Sequence, residues 1–546
     1  MTGLSEVRGA EPCPLLEETL GENLRRTVLR VPDAEALVVP HQGVRLTYQA
    51  FWDATTRIAR GLMARGIEAG DRVGIWSPNR SEWVILQYAA ARVGAILVNV
   101  NPAYRAHELA YALNQSGITL LILARGFRQT AYEPLLASVA DGCPMLRESL
   151  VIDEAWEALE AAGEAVPLAE LEAREASLDP RDPINIQYTS GTTGFPKGAT
   201  LSHRNVLNNG FFIGEGLGYT ERDRVCLPVP LYHCFGMVLG NLAATTHGAA
   251  IVLPGEAFDP AETLRVVARE RCTSLYGVPT MFIAELDHPD FATHDLSSLR
   301  TGIMAGSPCP VEVMRRVVDA MHMPEVAICY GMTETSPVST QTLPTDPLEK
   351  RVGTVGQVHP HLEVRIVEPG TDRVVARGEK GELCTRGYSV MLGYWNNPQA
   401  TKEAIDADGW MHTGDLATMD ADGYVNIVGR LKDMVLRGGE NLYPREVEAF
   451  LHGLPGVQDV QVVGVPDEKY GEELMAWIQP RPGARLTEDA LRAQCRGRIA
   501  TCKIPRYFHF VEGFPMTVTG KVQKFRLREM GIELLGLERA AEVATA

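Results

Sequence analysis

The chain has 546 residues, 45% of them apolar and 22% charged, with a formal net charge of −17. That length exceeds what one hydrophobic core supports and, at about 150 residues per domain, allows three or four units. An acidic chain of ordinary globular composition has no electrostatic reason to seek nucleic acid. Its ten cysteines include no CxxC pair and no metal-site spacing with histidine, which reads as free thiols in a reducing compartment. Residues 1–14 show neither an apolar leader core nor an Arg-rich amphipathic presequence, and no run of about 18 apolar residues appears. The expectation is a cytoplasmic protein with no transmembrane segment.

In chain order, Leu46 to Gly66 reads as a helix opened by Thr47, with Phe51, Thr55, Ile58 and Leu62 on one face. Asp71–Trp76 is strand-like, Glu82–Val93 helical, Ala95–Val100 a strand, Glu108–Gln115 a helix and Thr119–Ala124 a strand. Ile184–Tyr188 is another strand. The alternation resumes at Val225–Val229, Ala250–Leu253, Ser274–Val278 and Thr301–Ala305, with helices at Ala261–Arg271 and Val311–Met321. Such alternation predicts an α/β fold of mainly parallel sheets covered by helices, with ligands beyond the carboxyl ends of the strands. From about 352 to 430, short strand-like runs (Glu363–Val367, Glu382–Arg386, Gly423–Val428) between Gly, Pro and Asp turns predict a small antiparallel β unit. After about 431 the chain reads as α+β, with strands at Val457–Val465, Glu473–Ile478 and Tyr507–Val511 and a fraying Ala/Glu-rich tail beyond about 535.

The stretch Tyr188-Thr-Ser-Gly-Thr-Thr-Gly-Phe-Pro-Lys197-Gly198 packs hydroxyls, glycines and a lysine into a loop behind a strand. Glycine lets backbone N–H groups approach an anion, hydroxyls donate hydrogen bonds and Lys197 adds a charge, which together suit phosphate. The order is not that of the common P-loop, which needs Gly-Lys followed by Ser or Thr. Taken alone it also reads as a polar surface turn. Four motifs follow it: Tyr330-Gly-Met-Thr-Glu334, Thr413-Gly-Asp415, Gly429-Arg430-Leu-Lys432-Asp433 continuing through Gly438-Gly439-Glu440-Asn441-Leu-Tyr-Pro444, and Thr519-Gly520-Lys521. Each tripeptide alone is commonly a turn. Five in fixed order carry the signal.

Together they resemble the adenylate-forming (AMP-binding) superfamily, over about Leu20 to Arg528. Ala305-Gly-Ser-Pro308 with Tyr330-Gly-Met-Thr-Glu-Thr-Ser-Pro337 is most similar to the medium-chain fatty acyl-CoA synthetases. The resemblance implies an N-terminal AMP-binding domain over 1–430, made of α/β subdomains at 20–351 and a β-rich subdomain at 352–430. A small mobile C-terminal lid over 431–546 would follow, with a hinge near Lys432. It implies that Thr189, Ser190, Gly191, Thr192, Thr193, Gly194 and Lys197 wrap the phosphates of ATP. Glu334 would hold Mg²⁺, a cation that prefers oxygen ligands, and Thr333 would contact the α-phosphate. Gly306, Ser307 and Tyr330 would enclose the adenine, with the Tyr330 ring stacked on the base; Gly331 and Met332 would also bind the nucleotide, with Asp415 on the ribose hydroxyls and Arg430 assisting at ribose and phosphate. Lys521 would stabilise charge on the α-phosphoryl group as a carboxylate attacks and pyrophosphate leaves. The lid would then turn about Lys432, and Gly438 and Gly439 would let the pantetheine arm of CoA pass. A luciferase reading is disfavoured, because the second catalytic lysine of luciferases is replaced by Gly438.

The same resemblance bears on the acid. Peptide-synthetase domains carry an Asp for the substrate ammonium where this chain has Pro230-Leu-Tyr-His-Cys-Phe-Gly236, so amino acids are poor candidates. Acetyl-specific relatives carry Trp at the place of Gly331, so glycine there is expected to leave room for a chain. His233, Phe235, Gly236, Val238, Leu239, Gly331 and Met332 are the candidate walls, His233 being equally readable as a packed core histidine. A medium or longer fatty acid is expected, with aryl and methylthio acids not excluded. The acceptor is CoA, with Arg437, Arg445, Lys469 and Lys503 as candidate contacts for its nucleotide, or alternatively a carrier protein presenting the same thiol. A non-catalytic nucleotide-binding scaffold is the third reading. One sequence shows no interface, so a homodimer stays open.

Overall fold

A computed structural model describes residues 3–189, 196–307, 309–438, 440–467, 469–517 and 521–537. The chain divides into two units. The larger comprises Val7–Val364 with Thr385–His412, and the smaller comprises Met1–Glu6, Arg365–Cys384 and Thr413–Ala546. The α/β expectation holds. The larger unit contains two mainly parallel sheets, and small antiparallel pairings and a C-terminal α+β portion lie in the smaller.

The first sheet of the larger unit has seven strands, in the order Gly393–Tyr394, Lys197–Ser202, Pro183–Thr189, Ile96–Val100, Arg72–Trp76, Leu120–Leu123 and Glu148–Val151. The five strands from Pro183–Thr189 onward run parallel, and the first two pair antiparallel at the edge. The second sheet has nine strands, with a parallel centre of Glu325–Gly331, Thr301–Ala305, Ser274–Gly277, Arg224–Cys226, Ala250–Val252 and Glu35–Val39. These central strands are almost wholly buried, as strands covered on both faces must be.

The helices that cover the sheets form for legible reasons. Tyr48–Ala64 starts where the Thr47 hydroxyl accepts the Ala50 N–H at 3.2 Å. Phe51, Thr55, Ile58 and Leu62 are all buried, as their spacing predicts. Each apolar side chain so buried contributes roughly 1.5–3 kcal/mol. Leu20–Arg30 carries a reciprocal capping box between Thr19 and Glu22. It was not anticipated, because its polar run Glu22-Asn23 and Arg25-Arg26-Thr27 interrupts the apolar stripe. Helix His203–Gly216 and strand Lys197–Ser202 were also not anticipated.

In the smaller unit, Val457–Asp467 and Gly471–Pro480 form a long antiparallel ladder, joined in parallel by Tyr507–Phe510 and packed by helices such as Pro444–His452 and Lys524–Leu535. A second sheet in this unit pairs Met411–Met419 with Val425–Arg430. The first of these strands was missed from sequence because Thr413-Gly-Asp415 sits inside it, and Gly and Asp are depleted in strands. Of the tail beyond about 535, residues 538–546 lie outside the described set. No helix among the described residues is long and apolar enough to cross a membrane.

His203 shows how the larger unit responds to acid. Its ring is fully buried, and Nδ1 accepts the Leu20 N–H at 3.1 Å, tying two helices together. Nε2 has no partner. Burial pushes the imidazole down to about 3 from 6.5, and the same holds for buried His359. Both rings are neutral in the fold, whereas the unfolded chain takes up protons below pH 6.5. Their contribution is therefore complete above pH 6.5 and lost as pH falls toward 3. Unfolding free energies from urea titrations between pH 7.5 and 5 are expected to fall, by up to about 1.4 kcal/mol per pH unit for each buried imidazole. His203→Gln, which keeps an acceptor for Leu20, is expected to flatten that slope; an unchanged slope contradicts this account.

Candidate functional site

The glycine-rich loop closes an antiparallel hairpin. Pro183–Thr189 pairs antiparallel with Lys197–Ser202, the register shifting between Pro183 and Asn185 and regular from Asn185 onward, and Thr189 faces Lys197 as the last pair. Lys197 thus begins a strand, and this loop does not lead into a helix N-terminus. Ser190, Gly191, Thr192, Thr193 and Gly194 lie outside the described residues. The loop's two stems are held firmly. The Tyr111 hydroxyl donates to the Pro196 carbonyl at 3.0 Å, and the Tyr188 hydroxyl donates to Gln115 Oε1 at 2.6 Å. Gln115 Nε2 in turn donates to the Trp395 carbonyl at 2.6 Å, and the Trp395 N–H to the Gly198 carbonyl at 2.7 Å.

Glu334 lies next to this hairpin. It sits in the short turn Thr333–Thr335 and is only 5% exposed. Its Oε1 accepts from the Thr189 hydroxyl at 3.1 Å and from the Tyr394 hydroxyl at 2.8 Å. Lys197 Nζ rests 5.0 Å from the centroid of the Tyr394 ring. Thus Thr189, Lys197 and Glu334 converge as the motifs predict, and Tyr394 joins them unannounced. Its only sequence signal is Gly393-Tyr394-Trp395, a two-residue edge strand too short for periodicity to reveal.

Gly306, Ser307 and Tyr330 emerge from the carboxyl ends of two neighbouring parallel strands, where Ala305 pairs with Cys329. That is the place expected for a ligand on such a sheet. Gly331 departs from expectation. A Cβ built there would lie 1.6 Å from the Pro337 carbonyl oxygen. The same carbonyl accepts the Met332 N–H at 2.9 Å. Glycine is therefore demanded by main-chain approach, and its Cβ direction does not open onto a space for an acyl chain.

The remaining wall candidates lie on one unusual element. Phe235–Leu242 is a π-helix, a form enriched at functional sites, and Phe235, Gly236, Val238 and Leu239 on it are buried. Its main chain is anchored from a helix, Ser81–Val93, and from a strand, Ser274–Gly277. Gln87 Nε2 donates to the Met237 carbonyl at 3.1 Å, and Tyr276 donates from its hydroxyl to the Leu239 carbonyl at 3.0 Å. His233 stands just before it, and its Nδ1 accepts the Phe235 N–H at 3.1 Å. A backbone N–H can only donate, so a neutral His233 carries its proton on Nε2. Cys234 Sγ lies 3.7 Å from the Thr333 hydroxyl.

In the smaller unit, Asp415 and Arg430 face each other across an antiparallel pair. Asp415 is 7% exposed, its Oδ1 is 3.1 Å from Arg430 Nε, and the arginine side chain is 61% exposed. The Thr413 hydroxyl accepts the Asp415 N–H at 3.1 Å and donates to the Leu383 carbonyl at 2.7 Å, fixing the turn. Lys432 occupies the short turn Leu431–Asp433. Gly438 has φ +58, a conformation that favours glycine, and its N–H donates to the Tyr470 carbonyl at 2.8 Å. The Lys521 N–H donates to the Thr517 hydroxyl at 3.0 Å. Gly439, Thr519 and Gly520 lie outside the described residues.

A family model described as AMP-binding enzyme matches residues 24–395, and one described as AMP-binding enzyme C-terminal domain matches residues 446–521. The Bacillus subtilis protein named "Putative acyl-CoA synthetase YngI" is 51% identical, over 96% of this chain and 99% of its own. The zebrafish (Danio rerio) protein named medium-chain acyl-CoA ligase ACSF2, mitochondrial, is 43% identical over 98% of this chain and 91% of its own. Among solved structures, the anthranilate CoA ligase AuaEII in complex with anthranoyl-AMP superposes with TM-score 0.83 at 28% identity, covering 95% of this chain and 98% of that one.

The Gly331 geometry generates a discriminating prediction. Gly331→Ala is expected to lower the unfolding free energy by about 1–3 kcal/mol, because the Pro337 carbonyl must move. Any enzymatic activity should then fall alike for acids of every length. A stable variant with a shortened chain-length profile would restore the view that this position borders an acyl pocket.

Proposed function

The chain belongs to the AMP-binding enzyme family, the adenylate-forming ligases, and from that premise we propose that it joins a medium-chain or longer fatty acid to CoA. The reaction has two steps. The carboxylate attacks the α-phosphorus of ATP and pyrophosphate leaves; the CoA thiolate then attacks the acyl-adenylate carbonyl and AMP leaves. The single observation that carries the reading is the convergence of Thr189, Lys197 and Glu334 at the mouth of a hairpin whose intervening residues include one Ser, two Thr and two Gly.

Each residue has a task that chemistry can name. Lys197 and the hydroxyl-rich loop neutralise and orient the β- and γ-phosphates. Glu334 and the Thr189 hydroxyl form an oxygen donor set suited to Mg²⁺, which when bound offsets charge on the phosphate oxygens. Thr333 contacts the α-phosphate. Tyr330, Gly306 and Ser307 hold the adenine, and Asp415 accepts from the ribose hydroxyls with Arg430 beside it. Lys521 places a cation where negative charge grows in the first step. The lid over 431–546, turning about Lys432, presents Lys521 for the first step and the Gly438 segment for the second.

The chain-length reading is supported by the buried apolar π-helix residues Phe235, Val238 and Leu239 and by the names of the relatives. It no longer draws support from Gly331. Selectivity per methylene is only about 1–3 kcal/mol in an apolar pocket, so a broad profile is expected.

Two measurements test this. Pyrophosphate release with ATP and Mg²⁺ is expected for acids of intermediate length, faster with CoA present, and weakest for acetate and leucine. Release that CoA leaves unchanged points to a carrier protein as acceptor, and ATP binding without any release points to a scaffold. Lys521→Ala is expected to lower adenylation by about a hundredfold or more while thioester formation from supplied acyl-adenylate stays near wild type. Equal loss in both steps contradicts the two-conformation account.

A further inference from the structure

Lys197 and Glu334 pose an electrostatic problem. An ammonium and a carboxylate near each other attract strongly where water is scarce. A direct ion pair between them would have to break before either could serve a polyphosphate and its metal. Tyr394 meets both groups. Its hydroxyl donates to Glu334 Oε1 at 2.8 Å, while Lys197 Nζ stands 5.0 Å from the centroid of its ring. We propose that Tyr394 is a positioning residue that seats Lys197 and Glu334 on separate parts of one side chain, keeping both available to a metal–polyphosphate ligand. The proposal rests on reading the site as one for Mg·ATP.

Several features equip Tyr394 for this. A cation is drawn to the face of an aromatic ring without being neutralised there. Both donors to Glu334, Thr189 and Tyr394, reach Oε1. They orient the carboxylate through Oε1, and among the described residues no donor takes up Oε2, which is left to a cation. The tyrosine itself is fixed from both sides. It pairs with Ala199 two residues beyond Lys197, and its N–H donates to Thr401 Oγ1 at 2.9 Å. The Met391 N–H, three residues before it, donates to the Glu334 carbonyl at 2.9 Å. The segment 391–395 therefore binds the backbone of Glu334 and of the strand just beyond Lys197, as well as the side chains of Glu334 and Lys197.

The two halves of the role separate by substitution. Tyr394→Phe keeps the ring and loses the hydroxyl; Tyr394→Leu loses both. ATP affinity is measured by calorimetry with and without MgCl₂, alongside the kcat and KM of pyrophosphate release and the rate of thioester formation from supplied acyl-adenylate. In Tyr394→Phe, metal-free ATP affinity is expected to stay within about twofold, while the enhancement conferred by Mg²⁺ falls about tenfold, as suits one hydrogen bond to a charged group. In Tyr394→Leu, metal-free affinity also falls, by about threefold or more. Thioester formation stays near wild type in both. An undiminished Mg²⁺ enhancement in Tyr394→Phe overturns the proposal. So does equal loss of metal-free affinity in both variants, or loss of thioester formation in step with a falling Tm, which marks a merely structural role. A wild type that binds Mg·ATP but releases no pyrophosphate with any acid overturns the ligase reading alone, and the calorimetric comparison still decides the role of Tyr394. A wild type that binds no ATP overturns both.

Discussion

The candidate site depends on the antiparallel pairing of Pro183–Thr189 with Lys197–Ser202. The parallel neighbour Ile96–Val100 fixes the first strand, and the edge strand Gly393–Tyr394 adds to the second. This register brings Thr189 opposite Lys197 and Tyr394 opposite Ala199. A side chain's face in a sheet is set by register, and a one-residue slip turns it to the other side. Shifted by one, the second strand would carry Lys197 off the Tyr394 ring and out of its pairing with Thr189. The hydrogen bonds of Tyr111, Tyr188 and Gln115 guard against that slip, since each joins the hairpin to elements outside it.

A second layer of polar contacts keeps the π-helix in place. Asn185 donates to Asn99 Oδ1 at 3.0 Å, and Gln187 donates to Asn185 Oδ1 at 2.9 Å, along the strand that leads to the loop. Asn99 reaches the Tyr232 carbonyl at 2.8 Å, and Gln87 links the Met237 carbonyl to Asn241. Buried amides cost free energy unless they are paired. Paired in this way, they specify one arrangement of strand, helix and π-helix where apolar side chains alone would tolerate several. The strand below the phosphate loop and the element proposed to line the acyl chain are thus joined by directional bonds.

How much of this was legible in sequence follows from range. Helix Tyr48–Ala64 was legible because its signal is local, a Thr cap and a 3.6-residue stripe. The parallel strands were legible because burial on both faces leaves an apolar run. Motif order was enough to identify Thr189, Glu334 and Lys197 as a set. Tyr394 was not legible, because its meaning arises from a neighbour 60 residues away at Glu334. Strand Met411–Met419 was hidden by the Gly and Asp within it. Gly331 was misread for a related reason: the sequence shows that a side chain is missing but not what occupies its place, here the Pro337 carbonyl.

The cations of the chain teach the same lesson from the side of charge. Of the basic residues that the sequence offers for the nucleotide of CoA, Arg437 is paired with Glu473 at 2.8 Å, and Lys503 is bonded to Glu446, which also receives Lys380. Lys469 stands 4.8 Å and Arg437 4.4 Å from the Tyr470 ring. With 69 acidic residues against 52 basic ones, a carboxylate partner is readily at hand for a cation in this chain. A pairing of that kind must be broken before the cation can serve a phosphate, which reduces what it contributes to binding. Lys197 escapes the penalty because it rests on the Tyr394 ring. An aromatic seat holds a cation in place yet gives it up readily, since no opposite charge is left stranded when it moves. The position of Tyr394 between the lysine and Glu334 is therefore what keeps a site rich in opposite charges open to a ligand.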